Sequence, residues 1–305
     1  MSEPKPIVVA VDGSEAATTA VIWAARSAVA RRLPLHIVSV VHIPAFYYSE
    51  PYLAQSFQEE MKATARDRLD NAAVLARQIV DEHGPSAHDG VEIVTERLEG
   101  KVAPVLVELS LQADRLVVGS RGLGEVKGLL AGSVSTAVAS HAVCPVTVVR
   151  GRTLDGAPPA EGPVVVGVDG SESCRGAVEV AFEEAAARNA TLVAVNVWSD
   201  VSVQPSLGAV PEDPHWSRIQ TGEEIVLAER LAGFQERYPD VVVERVVARD
   251  RPVRVLSEYA ERAQLIVVGT RGRGGFKGLL LGSTSNALIQ TADCPVLVVR
   301  SETAE

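Results

Sequence analysis

Apolar residues fall along this chain in two alternating patterns. Short unbroken runs rich in Val and Ile, such as PIVVAV (6–11), LPLHIVSVV (33–41) and CPVTVVR (144–150), read as buried strands. Between them lie longer stretches with helical periodicity. Val21, Ile22, Ala25 and Val29 share one face of a segment beginning at Ser14. Met61, Ala65, Leu69, Ala72 and Leu75 do the same in a long helix predicted over 57–82. The order predicted for the first half is strand, helix, strand, helix, strand (91–98), helix (102–112), strand (114–120), helix (133–143), strand. Strands separated by helices imply parallel pairing and right-handed crossovers, hence an open, doubly wound, five-stranded α/β sheet. Ligands of such sheets bind outside the carboxyl ends of the strands, where the strand order reverses. Asp12, Val40 and Gly119 all sit at predicted carboxyl ends and are candidates to share one crevice.

The pattern then repeats. PIVVAVDGSE (6–15) returns as PVVVGVDGSE (163–172), and from Val117 to Arg150 21 of 34 residues are identical to those 150 positions further on, without a gap. Each copy is a whole folding unit rather than one turn of a solenoid. The predicted organisation is a domain over 1–150, a linker over 151–162 (GRTLDGAPPAEG, rich in Gly and Pro) and a second domain over 163–305.

Composition narrows the class. At 305 residues the length suits two domains, and 47% hydrophobic against 22% charged residues permits well-buried cores. A net charge of −10 argues against a nucleic-acid partner. Three cysteines do not make a disulfide framework and suit a reducing compartment. Asp12 ends the N-terminal apolar run, too early for a signal sequence, and no run of about 20 apolar residues exists to span a membrane. A cytoplasmic protein without membrane insertion is expected.

The chemistry concentrates in GSRGLGEVKGLLAGS (119–133) and its copy GTRGRGGFKGLLLGS (269–283). Gly119 and Gly122 let a ligand approach main-chain N–H groups, and Gly132-Ser133 opens a helix whose first turn offers an anion site. Ser133 is a candidate N-cap, Ser133 and Ser135 add hydroxyls, and Arg121 and Lys127 add positive charge. The second copy has Gly269, Arg271, Gly272, Lys277, Gly282, Ser283 and Ser285. Plain βα turns would also use glycines, but the copies differ at Leu123/Arg273, Glu125/Gly275 and Val126/Phe276 while keeping this frame. No P-loop run occurs, and no G-x-G-x-x-G follows the first strand. Asp12, with Glu15 three residues on, reads either as a helix cap or as a ligand for ribose or adenine; Asp169 with Glu172 repeats the choice. No histidine pair has metal-ligand spacing, and His83 and His88 read as solvated. Cys144 and Cys294 read as buried small side chains, whereas Cys174 near a helix start is placed for a lowered pKa. The aromatic cluster FYYSEPY (46–52) packs on the domain, covers a ligand or meets a partner, packing being favoured.

The G-x2-G-x9-G-S frame at Gly119-Gly122-Gly132-Ser133 and Gly269-Gly272-Gly282-Ser283, the strand-one aspartates and the terminal CPV strands together resemble the ATP-binding branch of the universal stress protein family. The duplicated form resembles its tandem, actinobacterial and mycobacterial type. The resemblance implies Rossmann-like adenine-nucleotide-binding domains with one site each. Ala10, Val11 and Asp12, with Gly167, Val168 and Asp169, would meet adenine and ribose, and the backbone at Val40 and Val197 would meet adenine. Gly119, Arg121, Gly122, Gly132, Ser133, Val134 and Ser135 would hold phosphates. So would Gly269, Arg271, Gly272, Gly282, Ser283, Thr284 and Ser285. The implied cofactor is ATP, alone or with Mg2+. A second-strand histidine common in the family is replaced by Ser39 and Asn196. The resemblance also implies edge-to-edge pairing of the last strands (146–150 and 296–300) and a homodimer. The expected role is a stress-response regulator that signals to protein partners by nucleotide-dependent conformation. A slow ATPase and a cyclic-AMP sensor are the alternatives, and no general base or metal carboxylate pair near the loop favours catalysis.

Overall fold

Ten Val-rich strands and eight helices carry the described part of the chain, in two compact units, Met1–Pro158 and Pro159–Glu305. The computed structural model describes residues 4–42, 51–84, 89–122, 132–150, 157–171, 174–198, 214–272 and 280–300, with 51–56 and 214–219 as backbone only.

In unit 1, strands β1 (Ile7–Ala10), β2 (Leu35–Val41), β3 (Ile93–Glu99), β4 (Arg115–Gly119) and β5 (Val146–Val149) alternate with helices. These are α1 (Glu15–Arg31), α2 (Pro51–Glu82), α3 (Val102–Leu109) and α4 (Ser133–His141). All pairings are parallel, in the order β3-β2-β1-β4-β5. The chain winds outward through β2 and β3, then crosses back to lay β4 on the other side of β1. The strand order therefore reverses between β1 and β4, which opens a crevice beyond their carboxyl ends. Helix α1 packs on α2, and α3 on α4.

Unit 2 repeats this plan with β6 (Val164–Gly167), β7 (Leu192–Trp198), β8 (Val243–Arg249), β9 (Leu265–Gly269) and β10 (Val296–Val299). Its helices are α5 (Arg175–Ala187), α6 (Pro214–Arg237), α7 (Pro252–Ala260) and α8 (Ser283–Thr291). The order is β8-β7-β6-β9-β10, again all parallel, and the reversal lies between β6 and β9.

The hydrophobic runs become strands because both their faces are covered. Ile7, Val9, Leu35, Ile37 and Val117 of unit 1 are fully buried, as are Val164, Val165, Leu265 and Val296 of unit 2. Each such side chain contributes roughly 1.5–3 kcal/mol of transfer free energy. Alanines 20, 24, 25 and 28 of α1 are also wholly buried and let the helix lie close on the sheet. At the edge of unit 1, β3 exposes most of its residues and carries Glu96, Arg97 and Glu99. Charges there discourage pairing with another strand.

Helices α2 and α3 depart from their predicted boundaries for local reasons. Helix α2 starts at Pro51 rather than 57, since proline fits a helix's first turn, where its missing N–H goes unused. Helix α3 stops at Leu109 rather than 112. The Ser110 hydroxyl donates to the Val107 carbonyl at 2.5 Å, and Leu111 and Gln112 continue as three-residue turns.

Candidate nucleotide site

The residue that carries the site sits just past β1. Asp12 accepts a hydrogen bond from the Ser14 N–H at Oδ1 (2.9 Å), and Asp169 accepts one from the Ser171 N–H (3.0 Å). These are Asx turns, in which a carboxylate folds the chain back two residues on. The cap reading of the aspartates is thereby corrected. The N-cap of α1 is Ser14, whose Oγ accepts from the Ala17 N–H at 3.1 Å, and the N-cap of α5 is Cys174. Relieved of capping, the aspartate carboxylate stands at the strand end.

Its other oxygen faces the glycine loop. A Cβ at Gly122 would lie 2.6 Å from Asp12 Oδ2, and one at Gly272 would lie 2.8 Å from Asp169 Oδ2. Such distances are far inside van der Waals contact, so only glycine permits this approach. Residues 110 and 103 positions apart are thus brought together in the same way in both units. The Ser14 Oγ also reaches the Arg121 carbonyl at 3.4 Å, a second tie between the two loops.

The far end of the loop returns to the same place. The Gly132 N–H donates to the Ser120 carbonyl (2.8 Å) and the Gly282 N–H to the Thr270 carbonyl (2.6 Å). Each hydrogen bond sets the start of the following helix beside the end of β4 or β9. The N-caps here are Gly132 and Gly282, which corrects the assignment of Ser133; Ser133 and Ser283 are the first helical residues. Neither glycine caps its helix with a side chain. The first intrahelical donors are Thr136 and Asn286, to Gly132 and Gly282. The N–H groups of Ser133, Val134 and Ser135, and of Ser283, Thr284 and Ser285, precede them and form the positive end of each helix.

The serine hydroxyls do not all serve as predicted. Ser133 and Ser283 are exposed, but Ser135 and Ser285 are buried. Their hydroxyls donate inward, Ser135 to the Gly132 carbonyl (2.9 Å) and Ser285 to the Gly269 carbonyl (2.6 Å). They brace the helix start and have no proton left for a ligand.

Burial first, and the like charge of Arg271 second, lower the pKa of Arg300 from its ordinary value. Arg121 is exposed at the matching place in unit 1. Lys127 and Lys277 lie outside the described residues, as do 46–50 of the aromatic cluster, His88 and residues 123–131 and 273–279 of the loops.

Val40 and Val197 are half-buried near the ends of β2 and β7, and Gly119 and Gly269 close β4 and β9. Ala10 ends β1, with Val11 just beyond it, and Gly167 ends β6, with Val168 just beyond. Val11 and Val168 extend the pairing by donating to the Val38 and Val195 carbonyls, at 2.8 and 2.9 Å. Ser39 is fully buried in the sheet, and Asn196 donates to Glu223 of α6 at 2.7 Å. Among the described residues no three His, Cys, Asp or Glu side chains gather as metal ligands.

The structure adds features the sequence reading did not select. A cleft of about 500 Å3 opens in unit 1 between α1 and α2 and reaches Asp12 and Gly13, with Thr18, Arg68 and Asn71 on its walls. Arg68 packs over Gly13, and Arg230 of unit 2 donates to the Gly170 carbonyl at 2.9 Å. The available signal was the Arg-Leu pair at 68–69 and 230–231, shared by two otherwise divergent helices.

The cysteines are inert by geometry. Burial pushes the thiols of Cys144 and Cys294 up to about 12. Burial and the neighbouring Asp169 charge also raise Cys174, which corrects the expectation of a lowered value; its thiol donates to the Ser171 carbonyl at 3.0 Å. Native protein at pH 8 is therefore expected to resist iodoacetamide at all three positions and to take up three labels once denatured. Mass spectrometry of the alkylated chain measures this, and rapid native labelling of Cys174 would contradict its burial.

A parallel α/β sheet with a strand-end aspartate set against a glycine loop and a helix start defines an α/β unit with its candidate site at the switch point. The universal stress protein family model matches residues 3–150 and again 162–300. Universal stress protein Rv2623 of Mycobacterium tuberculosis is 41% identical over 294 residues, covering 96% of each chain. The chain belongs to the universal stress protein family, as a tandem member. A universal stress protein from Archaeoglobus fulgidus has the same fold, with a TM-score of 0.68 at 19% identity over 99% of this chain and 98% of its own. A universal stress protein solved in complex with cAMP matches 46% of this chain at 27% identity, with a TM-score of 0.32. No helix among the described residues is long and apolar enough to cross a membrane.

Proposed function

We propose that the chain is an ATP-binding regulator of the stress response, with one nucleotide site per unit. The observation that carries this reading is the contact of Asp12 with Gly122, repeated by Asp169 with Gly272, at the two points where strand order reverses. In each unit an acceptor for ribose hydroxyls stands between a strand end and a glycine loop. The loop leads back to a helix N-terminus, which favours anions.

The assignment runs along the crevice. The backbone at Val40 and Val197 would meet adenine, and Asp12 and Asp169, behind Ala10-Val11 and Gly167-Val168, would meet the ribose. Gly119, Gly122 and Gly132 with the N–H groups of residues 133–135 would meet the phosphates, aided by Arg121. Gly269, Gly272 and Gly282 with those of residues 283–285, aided by Arg271, would do so in unit 2. ATP brings the negative charge that these donors are arranged to receive, with Mg2+ carried by its phosphates rather than by a protein carboxylate cluster. The output is a change in the surface offered to partners, driven by ligand as a population shift. Association of chains as a homodimer, in the cytoplasm, completes the reading.

The deciding measurement is mass spectrometry of nucleotide released from freshly purified, denatured protein. About two ATP per chain, one per helix-start site, is expected. Cyclic AMP alone would redirect the reading to a sensor of that ligand. No released nucleotide, with no ATP binding in titration, would overturn it.

A further inference from the structure

We infer that Arg68 and Arg230 are positioning residues that hold the aspartate turn of each unit in the shape that receives ribose. The inference rests on the nucleotide reading above and adds to it a pair of side chains from outside the β1–β4 crevice.

The turn is Asp-Gly-Ser in both units. Gly13 has φ +88° and Gly170 φ +71°, a left-handed conformation in which a side chain is strained. The Asx bonds, Ser14 N–H to Asp12 and Ser171 N–H to Asp169, stay within three residues. They shape the turn but do not fix it against the rest of its unit. The long second helix supplies an arginine that does. Arg230 of α6 donates from Nη2 to the Gly170 carbonyl at 2.9 Å, a charge-assisted bond across 60 residues. Arg68 of α2 lays its side chain on Gly13. Its Nε lies 3.0 Å, and its Cγ 3.3 Å, from where a Cβ would stand.

The two arginines hold corresponding helix positions, each followed by a leucine that is almost or wholly buried, Leu69 at 6% and Leu231 at 0% exposure. That leucine seats the helix against its unit, so the arginine one residue earlier arrives at the turn with little freedom left. Gly13 therefore answers two needs, the positive φ and the room for the arginine side chain, and Gly170 answers the first. Glycine is the most freely moving residue, and a carboxylate next to it keeps its direction only if the glycine is tied. Holding the turn before ligand arrives lowers the ordering cost of binding.

The geometry also says which part of a nucleotide is affected. The arginines touch the aspartate turn, whereas the candidate phosphate donors are the glycine loop and the starts of α4 and α8. Loss of an arginine should therefore weaken adenosine and ATP by the same factor. A role as a phosphate counter-charge would weaken ATP alone.

The test uses the full-length chain with Arg230→Met and with Arg68→Met/Arg230→Met together, titrated calorimetrically with adenosine and with ATP. Affinity for both ligands should fall about tenfold at each altered site, with unchanged stoichiometry. Amide exchange at residues 169–171 should speed up in the ligand-free Arg230→Met chain while the strand amides of β6 and β9 keep their protection. A drop for ATP much larger than for adenosine overturns the positioning role, and so do unaltered affinities or unaltered exchange at the turn. A parent chain that binds neither ligand overturns the nucleotide reading and this role with it. A parent that binds both, beside a variant that binds equally well, overturns the arginine role alone. If the double variant fails to fold, the single variant decides, with the unaltered Arg68 site as internal control.

Discussion

Replacing Gly122 with glutamate is expected to abolish nucleotide binding in unit 1 and leave unit 2 intact. The first added carbon would already lie 2.6 Å from Asp12 Oδ2. The remaining atoms bring a second carboxylate to the aspartate and to the place proposed for phosphates. Two carboxylates at that distance disfavour joint ionisation, and an incoming polyphosphate adds further like charge. The affinity loss at this site should exceed about 100-fold, near 2.7 kcal/mol, so calorimetric stoichiometry should fall from two ATP per chain to one. Gly272→Glu should do the same to unit 2, where the corresponding distance is 2.8 Å. Gly122→Ala should fall between, because its single added carbon displaces the Asp12 carboxylate without adding charge. Retention of two sites in Gly122→Glu would place the phosphates elsewhere.

Phe182→Ala is expected to give the largest loss of stability, and to confine it to unit 2. Phe182 of α5 is fully buried and stacks on Phe234 and Tyr238, with ring centroids 5.7 and 5.9 Å away. The corresponding positions in unit 1 are Ala25, Ala72 and Ala76, all buried. The two units thus fill the same inter-helix space in different ways, one by close approach of small residues and one by three rings. Deleting one ring leaves a cavity that α5 and α6 cannot collapse without breaking their other contacts. The cost should be about 3–5 kcal/mol, a large share of a domain's stability. Calorimetry should show one transition moved down by roughly 10 °C or more, with the transition of unit 1 unmoved. A uniform shift of all melting would mean that the units do not unfold separately.

Much of this protein is legible in its sequence because parallel strands are covered on both faces. That is why PIVVAV and LVVG read as strands without alternation, and why the helices between them reveal the winding. The internal repeat did as much again, since two copies of VDGSE and of the glycine frame mark what recurs. What eluded the sequence were contacts between parts far apart in the chain. Asp12 and Glu15 have capping-box spacing, yet Ser14 took the cap because its hydroxyl, not the carboxylate, lies in line with the Ala17 N–H. Ser135 read as a ligand donor and proved to brace its own helix start. Cys174 read as a thiol beside a helix dipole, and burial outweighs that field.

The sequence by itself determined the class: tandem α/β units, their parallel strands, and the aspartates and glycines that mark the candidate site. Those properties follow from local periodicity and from residues whose chemistry does not depend on distant neighbours. Tertiary structure alone decided which oxygen of Asp12 faces Gly122, which serine caps, and that an arginine from the second helix reaches back to the aspartate turn. These depend on where the sheet's reversal of strand order sets one loop against another, and distances of that kind are not written along the chain.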